Sequence, residues 1–278
     1  EFQNKLGNIL GPRVFQVCLV INGIVGPLLL GGAVATFFDG SNFLVSKANI
    51  TDSLQPVISR WANASNGLDA LLDIWNVLFG LSVFFLARVL GALYILNNVA
   101  DDVLRQRCRR QVLGNVGAFL ILFLTYFVRT LLKDGYAYDP LTGTIAMEPY
   151  KYLHNLLTMW PLLVLFVIGV GLLLYGVIRT VCSKVYVKGI WPAGIGVVLV
   201  VLVLLLITGW NNTAYYPSNA DLQSSLTIVN SSSSKFTLTV MFYVSLLVPV
   251  VLAYIWYAWR QIDRHKLTRQ EIKEDEAY

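Results

Sequence analysis

The sequence predicts an all-α, polytopic membrane protein, a bundle of six transmembrane helices. Of its 278 residues, 56% are hydrophobic and 13% are charged, about half the charged fraction of an ordinary soluble domain. The mean hydropathy is +0.63. Six stretches are apolar over the roughly 20 residues that a helix needs to cross a bilayer. They are 14–38, 74–96, 112–132, 156–178, 190–210 and 238–259, within a single membrane domain.

The basic residues predict the orientation of these spans. Lys and Arg concentrate in short cytoplasmic loops, and fourteen of the 21 lie in 1–13, 97–111, 179–189 and 260–278. Both termini are therefore expected in the cytoplasm, with 260–278 as a cytoplasmic tail. The run "RQRCRRQ" at 105–111 serves as a topology anchor or binds anionic lipid head groups. The net charge of +5 needs no nucleic acid as a partner.

The connections between the spans carry signals for helix starts. Asp69 and Asp73 precede the second span, where a helix N-terminus favours carboxylates; proton exit is the alternative role for this pair. The four serines at 231–234 precede the last span, and their hydroxyls suit the open N–H groups of a helix N-terminus. Pro27 and Pro249 lie within spans and predict kinks.

Arg88 is the sharpest single feature, because it lies near the middle of the second span. An unpaired Arg at mid-bilayer costs at least about 2.5 kcal/mol, and no Asp or Glu occurs within the six stretches. Its partner is therefore expected in another subunit, in an anionic cofactor, or among neutral groups including backbone carbonyls, Asn22 and Asn76; snorkelling is the remaining alternative. Arg129 lies one turn from the end of its span, where snorkelling is the expected explanation.

The chain contains few residues that could ligate a metal. Of its two histidines, His265 lies in the charged tail and is expected to be solvated. His154 lies at the outer end of the stretch 156–178, near Met147 and Met159, where it is a weak candidate for cofactor binding. No hydrolase constellation, Walker-type loop or CxxC spacing is present. We therefore expect neither a catalytic residue nor a metal site in this chain.

The order of several short motifs resembles one membrane family. Residues 217–278 contain Pro217-Ser218, then "SLT" at 225–227, the serines, Val248-Pro249 and a tail with "TRQEI" at 268–272. The stretch 1–40, "EFQNKLGN…GPLLLGGAVATFFDG", resembles the same family at its cytoplasmic lead and following helix. The sequence is similar to subunit II of cytochrome bd quinol oxidases. In that family further helices precede the lead, and we expect the first three to be missing here.

The resemblance implies a function and a set of partners. The complex would oxidise a quinol and reduce dioxygen to water, with haem b and haem d held mainly by a larger subunit I. This chain would stabilise that subunit in the inner membrane of a bacterium, with a small accessory subunit and lipid as further partners. Arg88 and His154 are the candidate cofactor-binding residues, and Arg88 could instead face the subunit interface. The cofactor group that would suit Arg88 is a haem propionate, and the missing helices are a further source of its counter-charge.

Two other classes of function compete with this interpretation. A transporter or channel could also place Arg88 at mid-membrane, but the first half of the chain is not repeated in the second. Four sequons, at Asn49, Asn63, Asn211 and Asn230, would suit a eukaryotic receptor-like protein. The lack of cysteines in the predicted outer loops and the even number of helices argue against a receptor.

Overall fold

The computed structural model describes residues 11–46, 57–183 and 185–262. The lead at 1–10, His265 and the rest of the tail lie outside the described residues. About 72% of the structure is helical, as the six apolar stretches predict. Six helical segments within the described ranges are long and apolar enough to cross a membrane. The mostly helical membrane fold is therefore confirmed.

The helices follow the apolar stretches closely. Hydrocarbon offers no partner for backbone N–H and C=O groups, so a spanning segment must satisfy them within a helix. The long helices are α1 (Pro12–Asp39), α2 (Ile74–Asn98), α3 (Asp102–Leu132), α5 (Trp160–Cys182) and α6 (Ile190–Gly209); α4 (Lys151–Thr158) and α7 (Ile228–Ser231) are short; the last span consists of α8 (Lys235–Ser245) and α9 (Val248–Ile262).

The last span is interrupted where the sequence places a proline. Pro249 has no N–H group, so the Ser245 carbonyl loses its helical donor. Helix α8 ends at Ser245 and α9 begins at Val248. At the other end, the Ser234 hydroxyl accepts a hydrogen bond from the Thr237 N–H at 3.3 Å. This contact confirms the predicted serine cap.

The all-α prediction omits antiparallel pairing in the connections between spans, where the described part of the chain contains three small two-stranded sheets. They pair β1 (Phe43–Ser46) with β2 (Ile58–Trp61), β3 (Gly135–Tyr138) with β4 (Ile145–Glu148), and β5 (Ala214–Tyr216) with β6 (Leu226–Thr227). Two-residue bridges, Ser41 with Ser218 and Ala137 with Thr213, join these connections to one another. Strands this short carry too little alternation to be recognised in the sequence.

The chain divides into two compact units. Among the described residues, the first takes in 11–46, 57–88, 115–164 and 202–227. Aromatic rings form its core, where Phe38 contacts Tyr126 and Tyr152 edge-on, and Phe79 contacts Tyr126 at 4.6 Å between centroids. The sheets and α4 belong to this unit.

The second unit takes in the described residues 89–114, 165–183, 185–201 and 228–262. Within it, α5 and α6 pack closely through glycines. A Cβ atom on Gly176 would lie 2.6 Å from the Gly189 carbonyl oxygen, so the two backbones are in direct contact. The Arg109 Nε atom donates to the Thr180 carbonyl at 3.1 Å and ties α3 to α5.

Candidate functional site

An ion cluster in the first unit joins the end of α1 to the end of α3. Asp39, the last residue of α1, accepts from the Arg129 Nη1 atom at 2.5 Å and from the Lys133 Nζ atom at 2.7 Å, both at Oδ1. The Tyr126 hydroxyl donates to the other oxygen, Oδ2, at 2.8 Å. The Asp39 side chain is 8% exposed, so one buried carboxylate is shared by two cations and a phenol.

Neighbouring residues hold these groups in place. Lys133 also donates to the Phe38 carbonyl at 2.7 Å, and its ammonium lies 5.6 Å from the Tyr152 ring centroid. The Arg129 guanidinium lies 4.5 Å from the Trp75 ring centroid, a cation–π contact. Burial lowers the pKa of Lys133 below its usual value, and the opposing effect of Asp39 is smaller. Burial likewise raises the pKa of Tyr152.

The sequence alone did not reveal this cluster. Asp39 lies one residue beyond the predicted end of the first stretch, and Arg129 was expected to snorkel. Arg129 is instead ion-paired with Asp39. The available signal was the spacing of Arg129 and Lys133, which places two cations on one helix face one turn apart. Two such cations at the end of a span indicate that an anion lies close to them.

A groove opens beside the cations on the surface of α2 and α3. It has a volume of about 720 Å³. Its lining consists of Trp75, Leu124, Thr125, Val128, Arg129, Leu132 and Lys133. Asp39 is not part of that lining. Both charged groups that line the groove are therefore positive, while its remaining surface is chiefly apolar.

A second, polar cavity of about 390 Å³ includes Asp39, Asp69, Asp73, Asn76 and Asn219 in its lining. The Asp73 Oδ1 atom accepts from the Trp75 and Asn76 N–H groups at 2.9 and 3.3 Å, which confirms that Asp73 caps α2. Asp69 has a different role from the one expected.

Asp69 organises the loop that precedes α2 rather than the helix itself. It accepts from Asn42 at 2.5 Å, from Ser65 at 2.8 Å and from Asn63 at 3.0 Å. These hydrogen bonds, that of Asn42 first, lower the pKa of Asp69. The three carboxylates of the polar cavity are thus engaged by donors of the protein.

Arg88 lies where the sequence places it, fourteen residues after the first residue of α2. Its side chain is exposed, and its guanidinium carbon lies 5.6 Å from the ring centroid of Phe84, one turn earlier on the same helix. The guanidinium therefore has an aromatic ring of its own helix as a neighbour. Its role toward a cofactor or a subunit remains a prediction.

His154 lies on α4, a separate short helix, because the span that follows begins only at Trp160. Its Nδ1 atom is 3.1 Å from the Glu148 Oε1 atom, and its side chain is 56% exposed. Lys151 donates to the other oxygen of Glu148 at 2.9 Å. Hydrogen bonds from Lys151 and then from His154 lower the pKa of Glu148. Arg88 and His154 thus belong to different local environments.

Haem iron takes His, Met, Cys or Tyr as protein ligands. The two cavities described above have no His, Met, Cys or Tyr in their lining. Across 11–46, 57–183 and 185–262, no cluster of three or more His, Cys, Asp or Glu side chains could hold a metal ion. Neither of these two cavities therefore offers a side chain that could ligate haem iron.

The six spans, with their charged residues mostly at the ends, define a multi-pass membrane protein. The family model for cytochrome bd terminal oxidase subunit II matches residues 1–262. The chain belongs to this family, and so it is a subunit of a respiratory quinol oxidase. The oxidase is a haem-containing complex with a partner subunit I. The comparison with curated proteins finds no match.

Proposed function

We propose that this chain is the scaffold subunit that stabilises the haem-bearing subunit I of a cytochrome bd-type oxidase. The complex oxidises quinol, reduces dioxygen to water and moves charge across the inner membrane of a bacterium. Haem b and haem d are held mainly by subunit I. Both termini of this chain lie in the cytoplasm, and its spans form one membrane domain.

The last span carries this proposal. None of its most apolar window, within Lys235–Ile262, is buried inside the chain. Small-residue and polar contacts, not apolar surface alone, drive helices together in lipid. This span offers one such group, the Ser245 carbonyl, which Pro249 leaves without its helical donor; the Ser245 hydroxyl already donates to the Phe242 carbonyl at 2.6 Å. A partner subunit, rather than lipid, can supply a donor to that carbonyl.

Co-purification tests the assignment directly. The tagged chain is extracted in mild detergent from cells that express the complete oxidase. A larger subunit is expected to accompany it, and the preparation is expected to show the absorbance of d-type haem. A chain that purifies alone, or with haem but without a second subunit, would contradict the proposal.

Arg88 supplies a sharper test at one residue. We infer that its guanidinium faces subunit I or a haem propionate, because its side chain is exposed on the surface of this chain near the middle of the second span, where a cation favours an anionic neighbour. Arg88→Leu is expected to reduce the yield of the assembled complex or shift its haem spectrum. Arg88→Lys, which keeps the positive charge, is expected to lower the yield less and to shift the spectrum less. The control is Arg107→Leu, since Arg107 is exposed and lies in the first turns of α3. Unchanged assembly and spectrum in Arg88→Leu would refute the role.

A further inference from the structure

The groove of about 720 Å³ on α2 and α3 combines a positive end with an apolar floor. Arg129 is 31% exposed and Lys133 is 18% exposed. Their carboxylate partner, Asp39, does not line the groove. The negative charge of Asp73 also attracts Lys133, but the Asp73 Oδ1 atom already accepts hydrogen bonds from backbone N–H groups of α2. The charge presented to the groove is positive.

The apolar floor runs along one face of α3. Leu124, Val128 and Leu132 are each about half exposed, and they succeed one another at four-residue spacing. Eight residues of helix rise about 12 Å, so the floor extends that far from the end of the span into the hydrocarbon. The length and the apolar character of this floor suit the part of an acyl chain nearest the lipid head group.

The positive end of the groove lies at the membrane surface. Helix α3 ends at Leu132 and α2 begins at Ile74, so Lys133 and Trp75 mark the boundary of both spans. Tryptophan prefers the level of the lipid head groups. A phosphate at this level would meet Arg129 and Lys133, while the attached chain lay along α3.

We propose that this groove binds an anionic phospholipid, with its phosphodiester on Arg129 and Lys133 and one acyl chain along Leu124, Val128 and Leu132. The two cations share the single carboxylate Asp39 and so keep positive charge for a second anion. The ring of Trp75, beneath Arg129, fixes the guanidinium toward the head group. This proposal goes beyond the role of the chain as a scaffold and holds whether or not subunit I accompanies it.

The test is native mass spectrometry of the oxidase complex, or of this chain if it purifies alone. The protein is delipidated and then supplied with either phosphatidylglycerol or phosphatidylcholine of the same acyl chains. Phosphatidylglycerol is expected to bind at least about fivefold more tightly, the ratio expected for one basic residue near an anionic lipid surface. Equal binding of the two lipids would overturn the proposal.

Variants locate the bound lipid. Lys133→Gln is expected to weaken phosphatidylglycerol binding about fivefold, whereas Lys235→Gln, which removes a lysine at the start of α8, is expected to leave it unchanged. Because Lys133→Gln disturbs the Asp39 cluster, a second variant leaves that cluster intact. Val128→Asp places a carboxylate on the groove floor and is expected to abolish the preference for phosphatidylglycerol.

Val164→Asp is the matched control for Val128→Asp. Val164 is four residues from the start of α5, Val128 is four from the end of α3, and the two are 48% and 50% exposed. Loss of the lipid preference in both variants, or in neither, would refute the site.

Displacement of phosphatidylglycerol by inorganic phosphate would show that the groove binds an anion and not a lipid. Displacement by quinone would show that the groove is a quinone site. Either result would overturn the proposal.

Discussion

Asp39 illustrates how a carboxylate is tolerated at the edge of a membrane span. It is 8% exposed and pairs with Arg129 and Lys133. A buried charge is costly unless ion pairs and hydrogen bonds compensate it, and removing one member of such a set leaves the others uncompensated. The cluster therefore holds the ends of α1 and α3 together. Each of its charged residues is stabilised by the others.

Asp39→Asn is expected to lower the apparent melting temperature of the complex in detergent, through a loss of about 3 kcal/mol. The cause is the loss of the anion that two partly buried cations share. Asp102→Asn is the control, because the Asp102 side chain is fully exposed and pairs with Arg105 at 3.8 Å. A comparable shift in both variants would show that Asp39 is no more important than a surface ion pair.

The lowered pKa of Glu148 predicts that the stability of the folded protein depends on pH. Its pKa is lowered below the ordinary value of 4.5, mainly by the hydrogen bond from Lys151. A lowered pKa in the folded state contributes stability that is present above 4.5 and is lost as pH falls through the folded value. Glu148→Gln should thus melt below the wild type at neutral pH, and the gap should close in acid.

Thermal melts of the two proteins from neutral pH to below 4.5 measure this gap. In Lys151→Gln the carboxylate loses its main donor, so its contribution should disappear at a higher pH than in the wild type. A gap that stays constant through the acidic range would mean that Glu148 does not provide the pH-dependent stability.

At the scale of elements, α5 and α6 show how glycine position controls helix packing. Gly176 faces the Gly189 carbonyl oxygen and the Ala193 N–H group, whereas nothing lies within 4 Å of a Cβ built on Gly171 of the same helix. Both helices are almost uniformly apolar, so their composition does not distinguish the packed face from the free one. The glycine contacts make that distinction.

Gly176→Ala is expected to destabilise the protein, because its methyl group would overlap backbone of α6 and force the helices apart. Gly171→Ala is expected to stabilise it slightly, by up to about 1 kcal/mol, since alanine is the better helix former. The melting temperatures of the two variants should therefore move in opposite directions. A rise in both would show that α5 and α6 are not in close contact at Gly176.

At the scale of the whole molecule, the distribution of basic residues predicts the orientation of all six spans. We propose cytoplasmic termini because Lys and Arg concentrate in alternate connections. Alkaline phosphatase fused after Gly143, in the turn between β3 and β4, is expected to be active, since it folds only outside the cytoplasm. The same fusion after Ile262 is expected to be inactive, and the reverse pattern would invert the topology.

Much of this molecule could be predicted where a local physical rule applies. The spans, the Asp73 cap of α2, the Ser234 cap of α8 and the interruption before Pro249 each depend on neighbouring residues alone. The separate helix α4, and hence the position of His154, was missed because a break between two helical segments leaves the apolar pattern nearly continuous. The small sheets were missed because their pairing depends on connections that are distant in sequence.

Within 11–46, 57–183 and 185–262, the sequence by itself determined six helices long and apolar enough to cross a membrane, because hydrocarbon admits only apolar segments that satisfy their own backbone hydrogen bonds. Only the tertiary structure decided that Asp39 belongs with Arg129 and Lys133. Those residues are some 90 positions apart, and they meet because α1 ends beside the end of α3. The hydropathy of a segment predicts whether it lies in the bilayer, but it does not predict which other helix packs against it.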